Sequence, residues 1–262
     1  MDKYTLITGA SQGMGEQMAH QCASRGHNIL LVSLPDEKLK ELSAHLSSEY
    51  SIKSDFFEGD LTNLCTPDNI LSWTEENNYK VNFLVNNAGF GGVGSFENCS
   101  ASYVNSMIDL NVRSTTNLTH AFIPQLIENA PSFLLNNASM AANFPFPYKS
   151  VYAASKGYIK HFTIALREEL KEHNISVSVL QPGATPTNKV VTEQIKTGGY
   201  FTRMSVETPE NVAKIAISKT IDGKAIIIPG FKNRLSLSMM GLIPRAIQQR
   251  MIAKKLRNME IK

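Results

Sequence analysis

Tyr4-Thr-Leu-Ile-Thr8-Gly9-Ala10-Ser11-Gln12-Gly13-Met14-Gly15-Glu16-Gln-Met-Ala19 is the stretch from which the fold of this chain can be read. Its first half is a short apolar and β-branched run, the pattern of a buried strand, and its second half opens a segment with helical period. Three glycines stand between them as G-x-x-x-G-x-G. Glycine there permits a tight turn and lets the backbone approach a diphosphate seated at the positive end of the following helix. A loop that merely packs a helix on a sheet can hold the same glycines, so the turn alone does not separate binding from packing.

Working outward, the same alternation repeats along the chain. The patterning predicts strands near 4–8, 28–33, 53–58, 81–86, 132–138, 175–181 and 225–229. It predicts helices near 13–25, 36–48, 66–78, 101–128, 151–173 and 208–221. Strands separated by helices imply βαβ units, hence an α/β fold: one doubly wound Rossmann-type domain with a seven-stranded parallel sheet and its ligand crevice at the carboxyl ends of the strands. No linker is evident, so residues 1–229 read as the dinucleotide-binding and catalytic domain. Residues 230–262 read as a basic extension packed on it or projecting from it.

Composition narrows the classes. With 42% hydrophobic and 19% charged residues the chain is ordinarily globular, which argues against disorder. A net charge of +3 is too small to imply a nucleic-acid partner. Cys22, Cys65 and Cys99 show no metal-ligand spacing and no disulfide framework, which suits a reducing cytoplasm, and no metal is expected. The first strand begins almost at Met1, leaving no room for a signal peptide, and no run is long enough to span a membrane.

A second stretch carries chemistry: Ser139-Met-Ala-Ala-Asn-Phe144-Pro-Phe146-Pro-Tyr148-Lys-Ser-Val-Tyr152-Ala-Ala-Ser-Lys156. On a helix Tyr152 and Lys156 are i and i+4 and share a face. A neighbouring ammonium lowers the pKa of a phenol, and a serine hydroxyl can donate to a carbonyl oxygen where charge develops. Such pairs also occur on solvated helices, so context must decide.

Five separated motifs supply that context. They are the Thr8–Gly15 turn; Asp60-Leu61; Asn86-Asn87-Ala88-Gly89; Ser139 with Tyr152-Ala-Ala-Ser-Lys156; and Pro182-Gly183 with Thr185 or Thr187. In this order they resemble the short-chain dehydrogenase/reductase family over about residues 4–229. The resemblance implies a nicotinamide-dependent oxidoreductase of a ketone/secondary alcohol pair. It places Gly9, Ser11, Gln12, Gly13, Met14 and Gly15 at the cofactor diphosphate, Asp60 and Leu61 at the adenine, and Asn87, Ala88 and Gly89 beside the adenosine ribose. Pro182, Gly183, Thr185 and Thr187 fall at the nicotinamide end. Tyr152 becomes the proton donor or acceptor and Lys156 the group that lowers its pKa and binds the nicotinamide ribose. Ser139 holds the substrate oxygen, and Asn111 bends its helix and holds a relay water. A cofactor-binding sensor or scaffold without turnover is the alternative, although such relatives usually lose the tyrosine or the lysine.

Three departures remain. At the end of the second strand stand Ser33 and Leu34, without the acid that would favour NAD(H) or the arginine that would favour NADP(H). With Ser11, Ser33 and Lys38 at hand for a 2′-phosphate, the reading favours NADP(H) over NAD(H), although Lys38 also suits a solvated helix. Phe90, Phe144, Phe146 and Tyr148 suggest an apolar substrate pocket for a lipophilic carbonyl compound, and core packing explains them equally well. Gly198-Gly199 and Tyr200-Phe201 mark a hinge and cover in the variable region. The tail has eight Lys/Arg against Glu260 alone in residues 230–262, amid Leu235, Leu237, Met239, Met240, Leu242 and Ile243. It suits a membrane-surface contact through 231–258, a subunit contact or a cover over the pocket. A homo-oligomer, dimer or tetramer, follows by resemblance through helices 101–128 and 151–173.

Overall fold

The central strands bury nearly every residue, which calls for helices on both faces of the sheet. The computed structural model describes residues 3–35, 38–187, 192–193, 195 and 206–260, apart from the side chains of 245 and 254–260. The strands are β1 (Lys3–Thr8), β2 (Asn28–Ser33), β3 (Ser54–Glu58), β4 (Lys80–Asn86), β5 (Ser132–Asn137), β6 (Ile175–Leu180) and β7 (Ile226–Ile227). They form one parallel sheet in the order β3-β2-β1-β4-β5-β6-β7. The chain winds outward from β1 to β3 and then returns to β4 on the other side of β1. The carboxyl ends of β1 and β4 therefore flank the topological switch point, where an open α/β sheet binds its ligand.

Two apolar layers hold the helices. On one face α1 (Gly13–Ala23), α2 (Leu39–Tyr50) and α7 (Pro209–Ile221) bury Met18, Cys22, Leu39, Leu46, Val212 and Ile217 against Ile7, Leu31 and Val85. Ala19 and Ala23 of α1 and Ala213 and Ala216 of α7 lie in the same layer, so small side chains let these two helices pack closely. On the other face α3 (Thr66–Glu76), α5 (Thr115–Glu128) and α6 (Ser150–Glu169) bury Ile70, Leu118, Phe122, Leu126 and Leu166.

Helix ends follow local chemistry. Thr208 caps α7 by accepting from Asn211 N at 3.2 Å, with Pro209 in the first turn. The long helix expected over 101–128 is divided into α4 (Ala101–Ile108) and α5, joined by a π-helical segment, Asp109–Ser114. The helix expected from 36 starts at Leu39, after Lys38 in a left-handed conformation (φ 59°). The strand expected over 225–229 shrinks to Ile226–Ile227, which pair with Val179 and Leu180 at the edge of the sheet. The basic tail forms α8 (Phe231–Gly241) and α9 (Arg245–Glu260). Gly198–Phe201 lie outside the described residues.

Candidate active site

The glycine turn has little spare volume. Gly9 and Gly13 both sit at φ 61°, where an L side chain is strained. A Cβ on Gly15 would overlap the carbonyl oxygen of Gly9 and come within 2.7 Å of Asn87 Nδ2, and one on Gly13 would lie 2.8 Å from Thr187 O. The turn opens directly into α1, whose first N–H groups receive no side-chain cap from Gln12. A helix start without a side-chain cap, behind a glycine cradle, fits a dinucleotide diphosphate. Gly15→Ala should therefore cost about 1–3 kcal/mol of stability and weaken dinucleotide binding. Melting and nucleotide titration of the variant check this, and unchanged values in both would show that the turn has room.

The carboxyl ends of β1, β4 and β5 are tied together by side chains. Thr8 Oγ1 accepts from Asn87 N and Ala88 N, each at 3.0 Å. Asn87 Nδ2 donates to Thr8 O (3.0 Å) and Gly9 O (3.2 Å), and its Oδ1 accepts from Asn137 Nδ2 (3.0 Å). This network holds the glycine turn in fixed relation to the end of β5, where the second motif starts.

That motif converges as its spacing predicts. The Ser139 hydroxyl lies close enough to the Tyr152 phenol to act on its pKa, and Ser139 Oγ accepts from Ala141 N (3.1 Å), starting a short 3-10 turn. Lys156, one turn after Tyr152 on α6, is 5% exposed and donates from Nζ to Asn137 O at 2.8 Å. Asn111 is fully buried inside the π segment. Its Oδ1 accepts from Phe90 N (3.0 Å), and its Nδ2 donates to Phe90 O (2.9 Å) and Ser155 Oγ (3.1 Å). Gly89 threads between them, since a Cβ there would lie 2.8 Å from Asn111 Oδ1 and 3.1 Å from Lys156 Nζ.

Burial sets the electrostatics. It pushes the Tyr152 phenol above its ordinary value, and the neighbouring Ser139 hydroxyl opposes that rise. The opposing group is thus Ser139, whereas the sequence pointed to Lys156, whose ammonium is turned to the Asn137 carbonyl. Burial pulls Lys156 down to about 8. At neutral pH Tyr152 is therefore protonated, the state in which a phenol can give a proton.

The remaining residues divide. Ser33 Oγ donates to Ser11 Oγ at 3.1 Å, so two candidate phosphate ligands from β2 and the glycine turn meet. Lys38 is exposed beside residues 36–37, which lie outside the described set. Gln12 and Asp60 are exposed, and Asp60 Oδ1 accepts from Thr62 N and Thr62 Oγ1 at 2.8 Å each. Leu61 and Met14 pack into the two cores. Pro182 O accepts from Met140 N (3.0 Å), which joins the segment after β6 to the turn after Ser139. Thr185 is buried, with its hydroxyl 3.4 Å from Gly183 O.

A cavity of about 100 Å³ opens beside Tyr152, between the chain from Gly92 to Met107 and Tyr148–Val151. Of the four aromatic residues expected there, Tyr148 lines it, and Phe90 stands behind it, edge-on to the lining residue Tyr103 at 5.6 Å. Phe144 and Phe146 are not among its lining residues. The sequence reading missed Tyr103, Val104 and Met107 on α4, as well as Thr8, Asn137 and Ser155. Of these, Thr8 had a signal, its position as the last strand residue before the glycines. Among the described residues, His20, His45 and Glu49 bring ligand atoms within 4.8 Å of one another, toward the ends of α1 and α2 remote from the glycine turn.

A family model described as short chain dehydrogenase matches residues 3–197. Sulfoacetaldehyde reductase 2 of Chromohalobacter salexigens is 31% identical over 201 residues, covering 76% of this chain and 78% of that protein. The solved short-chain dehydrogenase from Sphingobium yanoikuyae in complex with NADPH is 25% identical with a TM-score of 0.78, covering 93% and 97% of the two chains. The 3-ketoacyl-(acyl-carrier-protein) reductase from Brucella melitensis complexed with NADH is 26% identical with a TM-score of 0.72, covering 86% and 96%. Sheet, glycine cradle and relatives together define a nicotinamide-dependent oxidoreductase acting on the CH–OH group. Within that class, the chain belongs to the short-chain dehydrogenase/reductase family.

Proposed function

We propose that this enzyme reduces a lipophilic ketone with NADPH, and that Tyr152 delivers the proton. The observation that carries the reading is the protonated Tyr152 phenol near the Ser139 hydroxyl, one helical turn from buried Lys156, lining a mainly apolar cavity. Nicotinamide, when bound, supplies the hydride. Ser139 orients the substrate oxygen and Tyr152 protonates it as a general acid. Lys156 holds the nicotinamide ribose, and its ammonium favours the phenolate left behind. Asn111 keeps the 90–92 segment in place and leads to a relay water. Gly9, Ser11, Gly13 and Gly15 seat the diphosphate, Asp60 meets the adenine, and Pro182 to Thr187 meet the nicotinamide end. Tyr103, Val104, Met107 and Tyr148 supply apolar contact to the substrate.

The preference for NADPH rests on the Ser11–Ser33 hydroxyl pair, with a hydroxyl in place of a repelling carboxylate at position 33. Titration followed by nicotinamide fluorescence should show tighter binding of NADPH than NADH. Ser33→Asp should weaken NADPH by about 100-fold through like-charge repulsion while leaving NADH little changed. Equal affinity of the parent for both, or tighter NADH, defeats this assignment.

We place the enzyme in the cytoplasm, at a membrane surface, as a homo-oligomer. Exposed Ile108 and Tyr158, on the two helical units expected to pair, support the oligomer. No described helix is long and apolar enough to cross a membrane.

A further inference from the structure

Helix α8 is apolar on two sides. One side is covered: Asn233 is buried, donating to Pro229 O four residues earlier at 2.9 Å, and Leu237 and Met240 are partly covered. Buried Gln248 of α9 donates to Met240 O (2.6 Å) and Ile243 O (2.7 Å), which fastens the corner between the two helices, and Ile252 is buried as well. Phe231, Leu235, Met239 and Leu242 follow at steps of four, four and three, one continuous stripe, and they are 70%, 48%, 59% and 87% exposed. On α9, Ile247 and Met251 add an exposed i, i+4 pair at 49% and 50%. A helix whose inner side already meets the protein should turn polar residues to water. A contiguous apolar stripe there marks a contact surface.

Charge selects the occupant. Residues 230–262 carry Lys232, Arg234, Arg245, Arg250, Lys254, Lys255, Arg257 and Lys262 against Glu260 alone. Pairing the stripe with its own copy would bring two such basic segments together, which repels. A bilayer with anionic headgroups accepts apolar side chains at the acyl boundary and basic ones at the phosphates.

We propose that residues 230–262 are a docking extension of the catalytic domain, and that the stripe Phe231–Leu235–Met239–Leu242 seats the enzyme on an anionic phospholipid surface. Docking goes beyond the catalytic reading and does not depend on it.

The test is co-sedimentation of the full chain with phosphatidylcholine vesicles, with and without phosphatidylglycerol. Its companion variant combines Leu235→Ser, Met239→Ser and Leu242→Ser, all outward-facing, so the fold is retained. The parent should bind the anionic vesicles at least about tenfold more tightly than the neutral ones, and less so in high salt. The triple variant should lose that binding while NADPH affinity and reduction of a water-soluble ketone stay at parental levels. Equal vesicle binding by parent and variant, or none by the parent, overturns the proposal. So does a parent dimer that the variant dissolves without any vesicle binding, which would make the stripe a subunit contact. An inactive parent that still binds vesicles through the stripe defeats the catalytic reading and leaves docking standing.

Discussion

Tyr152→Phe should lower kcat for ketone reduction by about 10³-fold and leave NADPH affinity within about twofold, since positioned general acids contribute roughly 10²–10⁴-fold. The substitution removes one oxygen and keeps the ring, which packs where a Cβ on Gly91 would otherwise lie. The dinucleotide cradle, built from the turn and the Thr8–Asn87–Asn137 network, does not involve the phenol oxygen. Steady-state kinetics and nucleotide titration of the same preparation separate the two effects. A variant retaining a tenth of parental kcat would remove Tyr152 from the proton-transfer role. A large loss of nucleotide affinity would instead show that the phenol helps to build the cleft.

Lys156→Met carries the second large effect, in opposite directions for activity and stability. The ammonium is the proposed ribose ligand and stands one helical turn from the reacting phenol, so activity should fall by about 10²-fold or more and KM for NADPH should rise. Stability should increase. The folded pKa of about 8 lies below the ordinary 10.5, so the unfolded chain binds more protons between those values and stability of the parent rises with pH across that window. Below pH 8 the buried charge is a standing cost. The neutral isostere should therefore be about 2 kcal/mol more stable at pH 7, after allowance for the Asn137 carbonyl left without its donor. Denaturant melts at pH 7 and above pH 10 check this, because the advantage should shrink toward the higher pH. Equal stability at pH 7 would mean that Lys156 is better solvated than its 5% exposure implies. For the parent, reductive kcat/KM should decline above about pH 8 as the lysine loses its proton.

These expectations place the working groups on local sequence features. The glycine turn, the Tyr152–Lys156 pair and the Asn87–Gly89 corner are each contiguous or one helical turn apart. Their geometry follows from short-range backbone rules, and the sequence reads them directly. The same holds for the sheet, since seven short apolar runs separated by helical periods leave little choice but a parallel, doubly wound arrangement. All seven strands lie within about two residues of their expected bounds.

What the sequence did not disclose depends on partners far along the chain. Lys156 could be placed beside Tyr152 by spacing, but its hydrogen bond goes to a backbone oxygen, Asn137 O. Every residue carries such an oxygen, so no residue type announces it. Ser155 reads as an ordinary helix serine until Asn111, 44 residues earlier, donates to it. The π segment follows the same logic: the Asn111 amide is held by both backbone groups of Phe90, and the helix around it is widened. The apolar residues of the tail were visible as a cluster, but composition cannot say which side of α8 meets the protein. The burial of Asn233 and Gln248 decides that, and Phe231, Leu235, Met239 and Leu242 are left exposed. Sequence by itself thus determined the parallel sheet, the glycine cradle and the tyrosine–lysine face, because local periodicity and sterics suffice for them. The tertiary structure alone decided which carbonyl holds the lysine, which hydroxyl opposes the rise in the tyrosine pKa and which apolar stripe is left uncovered. Those outcomes depend on long-range packing, where burial and hydrogen-bond satisfaction select one partner from many chemically equivalent groups.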